Sequence, residues 1–483
     1  MPSVLLSSIA EQEEQSDQRR HTMEHKPYKP ADDAAANAKV GSADTQTDTE
    51  VHEATQRVGA LALAGEGKGT ASKATSAGTE AINPGPRAAC SGMASGVAAV
   101  SDGTAGGGGG VSSVDEQAAG AEPCGNTQHD DRAVLQMLYE TCGGAFWRMK
   151  IAWGTAAPIM TWFGIGTSSS SEGRISKLSL PWNKLAGAIP SEIATLSTLE
   201  ELVLHDNMLT GAIPIELSNL SMLRVLLLHN NSLAGCIPPD IGFLSSLRVV
   251  HLQNNQLTGT IPASIGELSS LEELQLHHNN FSGSIPATIG RLSSVRVLAL
   301  SHNQLTGAIP PEIGLLASSL VALALDCNRL TGEKPDMRGA LPAEMGRLTS
   351  LQDLRLHSNR LTGNVPAEFG GLGAVRVMML GENQLTAGPI PAEIGRAAAL
   401  EVLDIQKNQL TGSIPAEIGD LASLRVLSLS ENQISGAIPA EIGRLSSLQM
   451  LRLSRNKLTG EIPRAIAELP SLTVKQFEEN QLD

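Results

Sequence analysis

Residues 223–246 read LRVLLLHNNSLAGCIPPDIGFLSS, and residues 247–270 read LRVVHLQNNQLTGTIPASIGELSS. The two stretches agree in most of their leucines, in two asparagines, in two glycines and in an Ile-Pro pair. Similar stretches follow one another from Gly173 to the last residue. Their asparagines lie at Asn183, Asn207, Asn231, Asn255, Asn279, Asn303, Asn328, Asn359, Asn383, Asn408, Asn432, Asn456 and Asn480. The nearly regular spacing of these asparagines predicts a solenoid, in which each coil buries its apolar face against the next.

Within one coil, the residues before the asparagine alternate in character. Leu226 and Leu228 alternate with Val225, Leu227 and His229, which is the pattern of a short strand. The leucines are expected to point into the stack. The same inward set continues after the strand with Leu233, Ile237, Ile241 and Leu244, and begins before it with Leu223.

The asparagine stands where the chain leaves the strand. Its amide can bond backbone groups of neighbouring coils, so the thirteen asparagines are predicted to form a ladder along the solenoid. Gly235 and Gly242 permit tight turns, and Pro238 fixes the chain direction as it crosses to the outer side.

The unit LxxLxLxxNxLTGxIPxEIG resembles the plant-type leucine-rich repeat of receptor-kinase ectodomains and of secreted inhibitors of wall-degrading enzymes. The run from Asp131 to Leu180 is similar to the N-terminal cap of free-standing leucine-rich-repeat proteins from algae and microbes. It includes Leu138-Tyr139, Gly143-Gly144, Trp147, Trp162-Phe163-Gly164 and Gly173-Arg174-Ile175. The resemblance covers about residues 130 to 483. The paired cap cysteines of secreted plant members are missing, and no kinase domain or membrane span follows.

These patterns together predict an α/β solenoid, a right-handed leucine-rich-repeat superhelix with a parallel strand ribbon on its concave face. The solenoid of about 13 repeats occupies residues 173–483. A helical, aromatic-rich cap occupies 129–172, with a helix that starts at Asp130 or Asp131 and ends at Gly143-Gly144. Residues 1–128 are rich in Ala, Gly, Ser and Thr and are expected to be a disordered low-complexity region.

Composition narrows the classes of partner. A formal net charge of -15 argues against nucleic acid, since phosphate binding requires a face rich in Lys and Arg. No apolar stretch is long enough to cross a membrane, and no secretory leader is recognisable. The five cysteines are scattered and suggest no disulfide framework or zinc site. A cytoplasmic location is therefore expected, with an extracellular one as the alternative if the true start carries a signal peptide.

The resemblance implies that a ligand binds on the concave strand ribbon. We call strand face the positions six, four, two and one before each asparagine of the ladder and one after it, and we expect their side chains to be exposed. All seven histidines of the repeats fall on it. They are His205, His229, His251, His277, His278, His302 and His357.

Three interpretations of these histidines remain open. They are tolerated polar surface residues spread by duplication, or a partner-binding stripe whose charge switches near pH 6 to 7. In the third, His205, His229 and His251 on adjacent coils form a metal site, although no further ligand completes it convincingly apart from Asp206. The prediction from sequence is that the protein has no metal site and no cofactor.

Other strand-face residues are also binding candidates. Trp182 is an aromatic anchor or packs under the cap. Late coils turn basic and could hold an acidic stretch of a partner, through Arg329, Arg355, Arg360, Lys407, Arg452, Arg455 and Lys457. The long step from Asn328 to Asn359 contains seven extra residues, Glu333 to Gly339, which are expected to bulge beside the strand edge.

No motif for a nucleophile, a metal protease or a kinase is present, so no catalytic residue is predicted. The expected function is non-enzymatic: a protein-interaction scaffold or recognition protein that binds a protein or peptide on the concave face. The alternative is a secreted or cell-surface receptor-like protein of the receptor-ectodomain or enzyme-inhibitor type. No nucleic acid and no membrane span are expected, and the oligomeric state is left open.

Overall fold

The computed structural model describes residues 127–167, 174–331, 341–386 and 388–483. The predicted low-complexity region therefore lies outside the described residues except for its last two positions. The predicted insertion Glu333–Gly339 also lies outside the described residues. Within the described parts, no helix combines the length and the apolar character needed to cross a bilayer.

A parallel sheet runs through the described part of the chain. The antiparallel strand β1 (Ile165–Gly166) pairs with β2 at one end, and every later strand pairs in parallel with its neighbour in sequence order. The strands after β1 are β2 (Lys177–Ser179), β3 (Glu201–Val203), β4 (Val225–Leu227), β5 (Val249–His251), β6 (Glu273–Gln275), β7 (Val297–Ala299), β8 (Ala322–Ala324), β9 (Asp353–Arg355), β10 (Val377–Met379), β11 (Val402–Asp404), β12 (Val426–Ser428), β13 (Met450–Arg452) and β14 (Val474–Gln476). The thirteen parallel strands confirm the predicted ribbon of repeats.

The outer side of each coil is a short 3-10 turn that follows a proline. The turns are Ser191–Thr195, Ile215–Asn219, Pro239–Phe243, Ala263–Glu267, Ala287–Arg291, Pro311–Leu316, Ala343–Arg347, Ala367–Gly371, Ala392–Arg396, Ala416–Asp420 and Ala440–Arg444, and helix α2 (Arg464–Ala467) takes their place in the last complete coil. Pro fixes its own φ and offers no N–H, which suits the residue that leads into such a turn. The P-x-E-I-G glutamates therefore lie away from the strands.

Two- to four-residue strands complete the coils between the sheet and the outer turns. They pair in parallel as Ala186–Ala188 with Met208–Thr210, Ala234–Gly235 with Gln256–Leu257, Ser282–Gly283 with Gln304–Gly307 and Arg329–Leu330, Thr362–Gly363 with Gln384–Leu385, and Ser435–Gly436 with Lys457–Gly460 and Gln481–Leu482. Gly235 has φ +79°, a left-handed conformation that only glycine adopts without cost. Gly266 is required by space, since a Cβ there would lie 2.3 Å from the backbone oxygen of Thr288 in the next coil.

One aliphatic core extends through all the coils. The predicted inward positions are buried: Leu223, Leu226, Leu228, Leu233 and Ile241 belong to a single cluster with their equivalents in the other coils. A lone coil could not bury these side chains, so the stability of the fold is a sum of contacts between neighbouring coils.

The first strands are covered by the segment that precedes them. Helix α1 (Thr127–Thr141) already includes Thr127, so the prediction that Asp130 or Asp131 caps its start was wrong. Asp131 is buried instead and accepts a 2.9 Å hydrogen bond from Arg174. After the helix, Gly144–Phe146 and Ile159–Thr161 form single 3-10 turns.

Three tryptophans form an aromatic core in this segment. Trp147, Trp153 and Trp162 are buried, and the ring centroids of Trp153 lie 5.0 and 4.9 Å from those of the other two. Their cluster is continuous with Leu178 and the other leucines of the coils. This arrangement removes the apolar end of the stack from water.

The asparagines bind backbone groups of neighbouring coils. The Nδ2 of Asn279 donates to the oxygens of Leu252 (2.9 Å) and Leu276 (3.1 Å), in the preceding coil and its own. Its Oδ1 accepts from the N–H of Leu257 at 3.0 Å. Equivalent bonds recur at every coil from Asn207 to Asn480.

We expect Asn279→Ala to lower the free energy of unfolding by about 1 to 3 kcal/mol, because buried backbone groups lose their partners. The adjacent Asn280 is exposed, and Asn280→Ala is the matched control, expected to change stability by less than about 0.5 kcal/mol. Urea unfolding of both variants tests the ladder. Equal midpoints for the two variants would contradict it.

Candidate binding face

The strand face is much less exposed than the sequence suggested. In the central coils the positions four and two before the ladder asparagine are buried or half-buried, and the buried ones include Gln253, Gln275, His277, Ser301 and Asp326. Side chains of adjacent parallel strands lie within contact of one another, so each column shields the next. The expectation that the whole strand face is exposed was therefore wrong.

Exposure is concentrated along one edge, at the position after each ladder asparagine. Most residues there are exposed and the rest are half-buried: Lys184, Met208, Ser232, Gln256, Asn280, Gln304, Arg329, Arg360, Gln384, Gln409, Gln433, Lys457 and Gln481. We call this row the amide row, since seven of the thirteen side chains are Gln or Asn. It offers donors and acceptors to another chain.

The residue before each ladder asparagine has a left-handed backbone. In all thirteen coils its φ lies between 50° and 56°, although none of these residues is glycine. Asp206, Asn230, Asn254, His278 and His302 are of types that tolerate this conformation, whereas Cys327 is not. The bend turns the side chain toward its equivalent in the next coil. Asn254 thus donates to Asn230 at 2.7 Å, and Asn230 to Asp206 at 2.9 Å.

The first group of histidines forms a stack against carboxylates. The rings of His205 and His229 are parallel, with centroids 4.4 Å apart, and the Nδ1 of His205 lies 2.6 Å from the Oδ2 of Asp206. We call His205, Asp206 and His229 the His205 cluster. His251 takes no part in it, because its Nε2 lies 3.0 Å from Glu273. The three-histidine metal site considered from the sequence was therefore wrong in its membership.

Burial decides the charge of two histidines. Burial, with the charges of His205 and His251, lowers the pKa of His229 to about 3. His277 is 0% exposed, and burial lowers its pKa well below the usual range. Both rings are therefore neutral at pH 5.5. A stripe of seven histidines that all gain charge near pH 6 to 7 is not compatible with this burial.

The second group surrounds a buried carboxylate that the sequence analysis missed. We call Asp326, His302, Cys327 and His357 the Asp326 cluster. The Oδ1 of Asp326 accepts a 2.6 Å hydrogen bond from Ser301, and its Oδ2 faces the Nε2 atoms of His302 at 3.8 Å and His357 at 3.7 Å. Comparing neighbouring coils column by column, rather than histidine by histidine, would have found it.

The pKa of Asp326 reflects these neighbours. Burial raises it, but the nearby His357 and His302 and the hydroxyl of Ser301 together hold the pKa below its usual value. The side chain is thus a buried carboxylate anion. His278 stacks on His302 with centroids 4.1 Å apart and closes the cluster on one side.

The late basic residues are mostly neutralised within the protein. Arg355 pairs with Asp353 at 3.0 Å, Lys407 with Glu382 at 3.1 Å, and Arg455 with Glu479 at 3.2 Å. The amino group of Lys457 donates to Gln433, and Arg452 is only 2% exposed. These pairs weaken the hypothesis that the late basic residues together hold an acidic stretch of a partner. Arg329 and Arg360, adjacent on the amide row, are exposed.

Trp182 lies at the N-terminal end of the strand face. Its side chain is 59% exposed, so it does not pack under the preceding segment as one interpretation had it. Met208 in the next coil is also exposed. Together they present an apolar surface at this end of the amide row.

We expect His229 to make stability depend on pH. Because its pKa in the folded protein lies below the value of about 6.5 in the unfolded chain, its contribution is complete above that value and is lost as the pH falls. Between pH 7.5 and 5.5 the loss should be about 1 kcal/mol. In His229→Gln this component disappears, whereas the matched control Gln256→Ala should retain the wild-type pH dependence. Urea unfolding at both pH values measures the difference; equal slopes in wild type and His229→Gln would contradict the assignment.

Comparisons with known proteins agree with this architecture. Two family models, both described as leucine rich repeat, match parts of the chain. One matches residues 245–305. The other matches residues 198–220, 222–244, 350–372, 399–421, 423–445 and 447–469. No match to this chain is found among the curated proteins.

Similar solved structures include two that are described as receptors. The structure of PEPR1 with AtPEP1 is 30% identical with a TM-score of 0.62, and the match covers 73% of this chain and 52% of that one. The plant peptide hormone receptor RGFR1 with RGF2 is 33% identical (TM-score 0.52; 64% and 56% covered), and a TDR receptor is 31% identical (0.54; 63% and 56%). The chain thus spans slightly more than half the length of these three chains. Its repeats, its sheet and these similarities together show that the chain is a leucine-rich-repeat protein.

Proposed function

We propose that this chain is a non-enzymatic recognition protein that binds a protein or peptide partner on its strand face. The observation that carries the proposal is the amide row, a line of exposed hydrogen-bonding side chains that follows thirteen parallel strands. At a strand spacing of about 4.8 Å the row is roughly 58 Å long, enough for an extended segment of about 17 residues. The similarity to the plant peptide hormone receptor RGFR1, solved in complex with RGF2, supports a ligand of this kind.

We propose that specificity comes from two places along the amide row where apolar or positively charged side chains stand beside the amides. Trp182 and Met208 offer apolar contact at the N-terminal end. Arg329 and Arg360 offer two exposed guanidinium groups further along, which suit a carboxylate on the partner. The buried strand-face side chains support this surface from below and do not themselves reach a partner.

Binding can be tested without knowing the natural partner. The full chain is used to select peptides from a displayed random library, and calorimetry measures the affinity of a selected synthetic peptide. We expect Trp182→Ala, or the pair Arg329→Ala and Arg360→Ala, to weaken binding by about tenfold or more. Phe243 (71% exposed) and Leu315, both in outer turns, are matched controls whose replacement by Ala should have little effect. Loss of affinity only in the outer-turn variants would place the site elsewhere.

The location of the protein separates two versions of this proposal. The cytoplasmic expectation draws no support from the similar structures, whereas the description of RGFR1 as a plant peptide hormone receptor favours recognition outside the cell. Three glycosylation sequons begin at Asn219, Asn230 and Asn280. Asn219 and Asn280 are exposed, whereas Asn230 is hydrogen-bonded to Asp206 and Asn254.

If the protein is extracellular, we expect glycosidase treatment of the protein from its native source to reduce its mass. The glycans should lie on Asn219 or Asn280, because an exposed amide is accessible to the transferase. Replacing both with Gln should abolish the mass change, and Asn230→Gln is the control that should leave it intact. An unchanged mass for the wild type would favour the cytoplasmic version.

A further inference from the structure

The histidine–carboxylate pairs on the strand face differ in their spacing. His205 and Asp206 are in hydrogen-bond contact at 2.6 Å, and His251 and Glu273 at 3.0 Å. The two imidazole nitrogens that face Asp326, by contrast, stop at 3.8 and 3.7 Å from the same carboxylate oxygen. These distances are too long for a hydrogen bond. They are close to the separation of two ligand atoms bound to one ion.

The size of a tetrahedral site can be compared with these distances. Nitrogen and oxygen ligands at about 2.0 to 2.1 Å from zinc lie about 3.3 Å apart, and a thiolate at about 2.3 Å lies slightly farther from them. The ligand atoms of His302, Asp326 and Cys327 all fall within 4.8 Å of one another. Movements of a few tenths of an ångström to about 1 Å would bring them onto a common ion.

We propose that His302, Asp326 and Cys327 bind a divalent transition-metal ion of the zinc class. One imidazole, one carboxylate and one thiolate come from two adjacent coils, and the coil geometry fixes their backbones. The thiolate selects a borderline or soft ion such as Zn²⁺ over Mg²⁺ or Ca²⁺, which prefer oxygen ligands. This site goes beyond the proposed recognition function and does not depend on it.

The surroundings of the carboxylate suit an ion. Asp326 is 3% exposed, and a buried anion is costly unless a cation compensates its charge. Ser301 holds the other oxygen at 2.6 Å, which is the kind of outer contact that orients a ligating carboxylate. His357 lies against the same Oδ2 from the following coil and acts as a positioning residue. Three protein ligands leave one coordination position open for water or for a donor from another molecule.

The left-handed bend places two of the three ligands. His302 and Cys327 each occupy the position before a ladder asparagine, with φ of 51°. A cysteine is unusual there, since Gly, Asn, Asp and His adopt this conformation more readily. The bend directs both side chains along the same column, and Asp326 joins them from the neighbouring one.

The other donor group on the strand face has a different geometry. His205, Asp206 and His229 also bring three donors within 4.8 Å of one another. There, however, the imidazole of His205 already binds Asp206, and its ring stacks on His229. The His205 cluster contains no thiol. A signal that depends on sulfur therefore separates the two groups in one experiment.

Cobalt(II) is the probe, added to the full chain in the presence of a phosphine reductant. Binding at the Asp326 cluster should give a thiolate-to-cobalt charge-transfer band at one equivalent, and Zn²⁺ should displace it. Cys327→Ser should abolish the band, and His302→Gln and Asp326→Asn should weaken cobalt binding by more than tenfold. His357→Gln should weaken it by about tenfold, as expected for an outer-sphere contact.

Cys236→Ser is the matched control, since Cys236 lies on another part of its coil and should leave the band unchanged. Circular dichroism of each variant checks that it folds, and His302→Gln gives a second variant with the thiol intact. A saturating charge-transfer band in Cys327→Ser, or wild type that gives no such band with excess cobalt, would overturn the proposal. Cobalt absorption that depends on His205 and not on Cys327 would overturn it as well, and would assign the ion to the His205 cluster.

Discussion

The buried amide at the end of each strand is the interaction on which the rest of the structure depends. Each ladder asparagine joins its own strand exit to the backbone of the preceding coil, as Asn303 does with the oxygens of Leu276 and Leu300. This contact satisfies backbone groups that the bend would otherwise leave buried without partners. It also fixes the distance and alignment between coils. Every column of side chains on the strand face inherits that alignment.

This alignment brings together groups of side chains that no single coil contains. The residue with a left-handed backbone before each ladder asparagine lies beside its equivalents in the neighbouring coils. Asn254, Asn230 and Asp206 are thereby linked by side-chain hydrogen bonds, and the ring of His278 stacks on that of His302. Residues about 25 positions apart in sequence thereby become neighbours. The same regularity places exposed side chains in one row at the strand edge, where a partner can run along the solenoid. The proposed recognition surface and the proposed ion site thus both follow from one repeated geometry.

The sequence predicts the fold well because the fold is periodic. The positions of Leu226, Leu228 and Ile241 hold an apolar residue in nearly every repeat, which predicts their burial. The asparagine marks the end of each strand. The sequence predicts exposure on the strand face poorly, as His277 and Arg452 show. Whether a side chain there reaches water depends on its neighbours in the adjacent coils, and not on its own repeat. Asp326 escaped notice for the same reason, because only the stacking of three coils brings it between His302 and His357.

The central claim is that the exposed edge of the strand face is where a partner binds. A photoreactive amino acid placed at Gln304, in the middle of the amide row, tests it directly when the full chain is irradiated with a selected peptide. The same amino acid at Phe243, in an outer turn, gives the comparison. We expect a covalent adduct from position 304 and none from position 243. An adduct formed only from position 243 would contradict it.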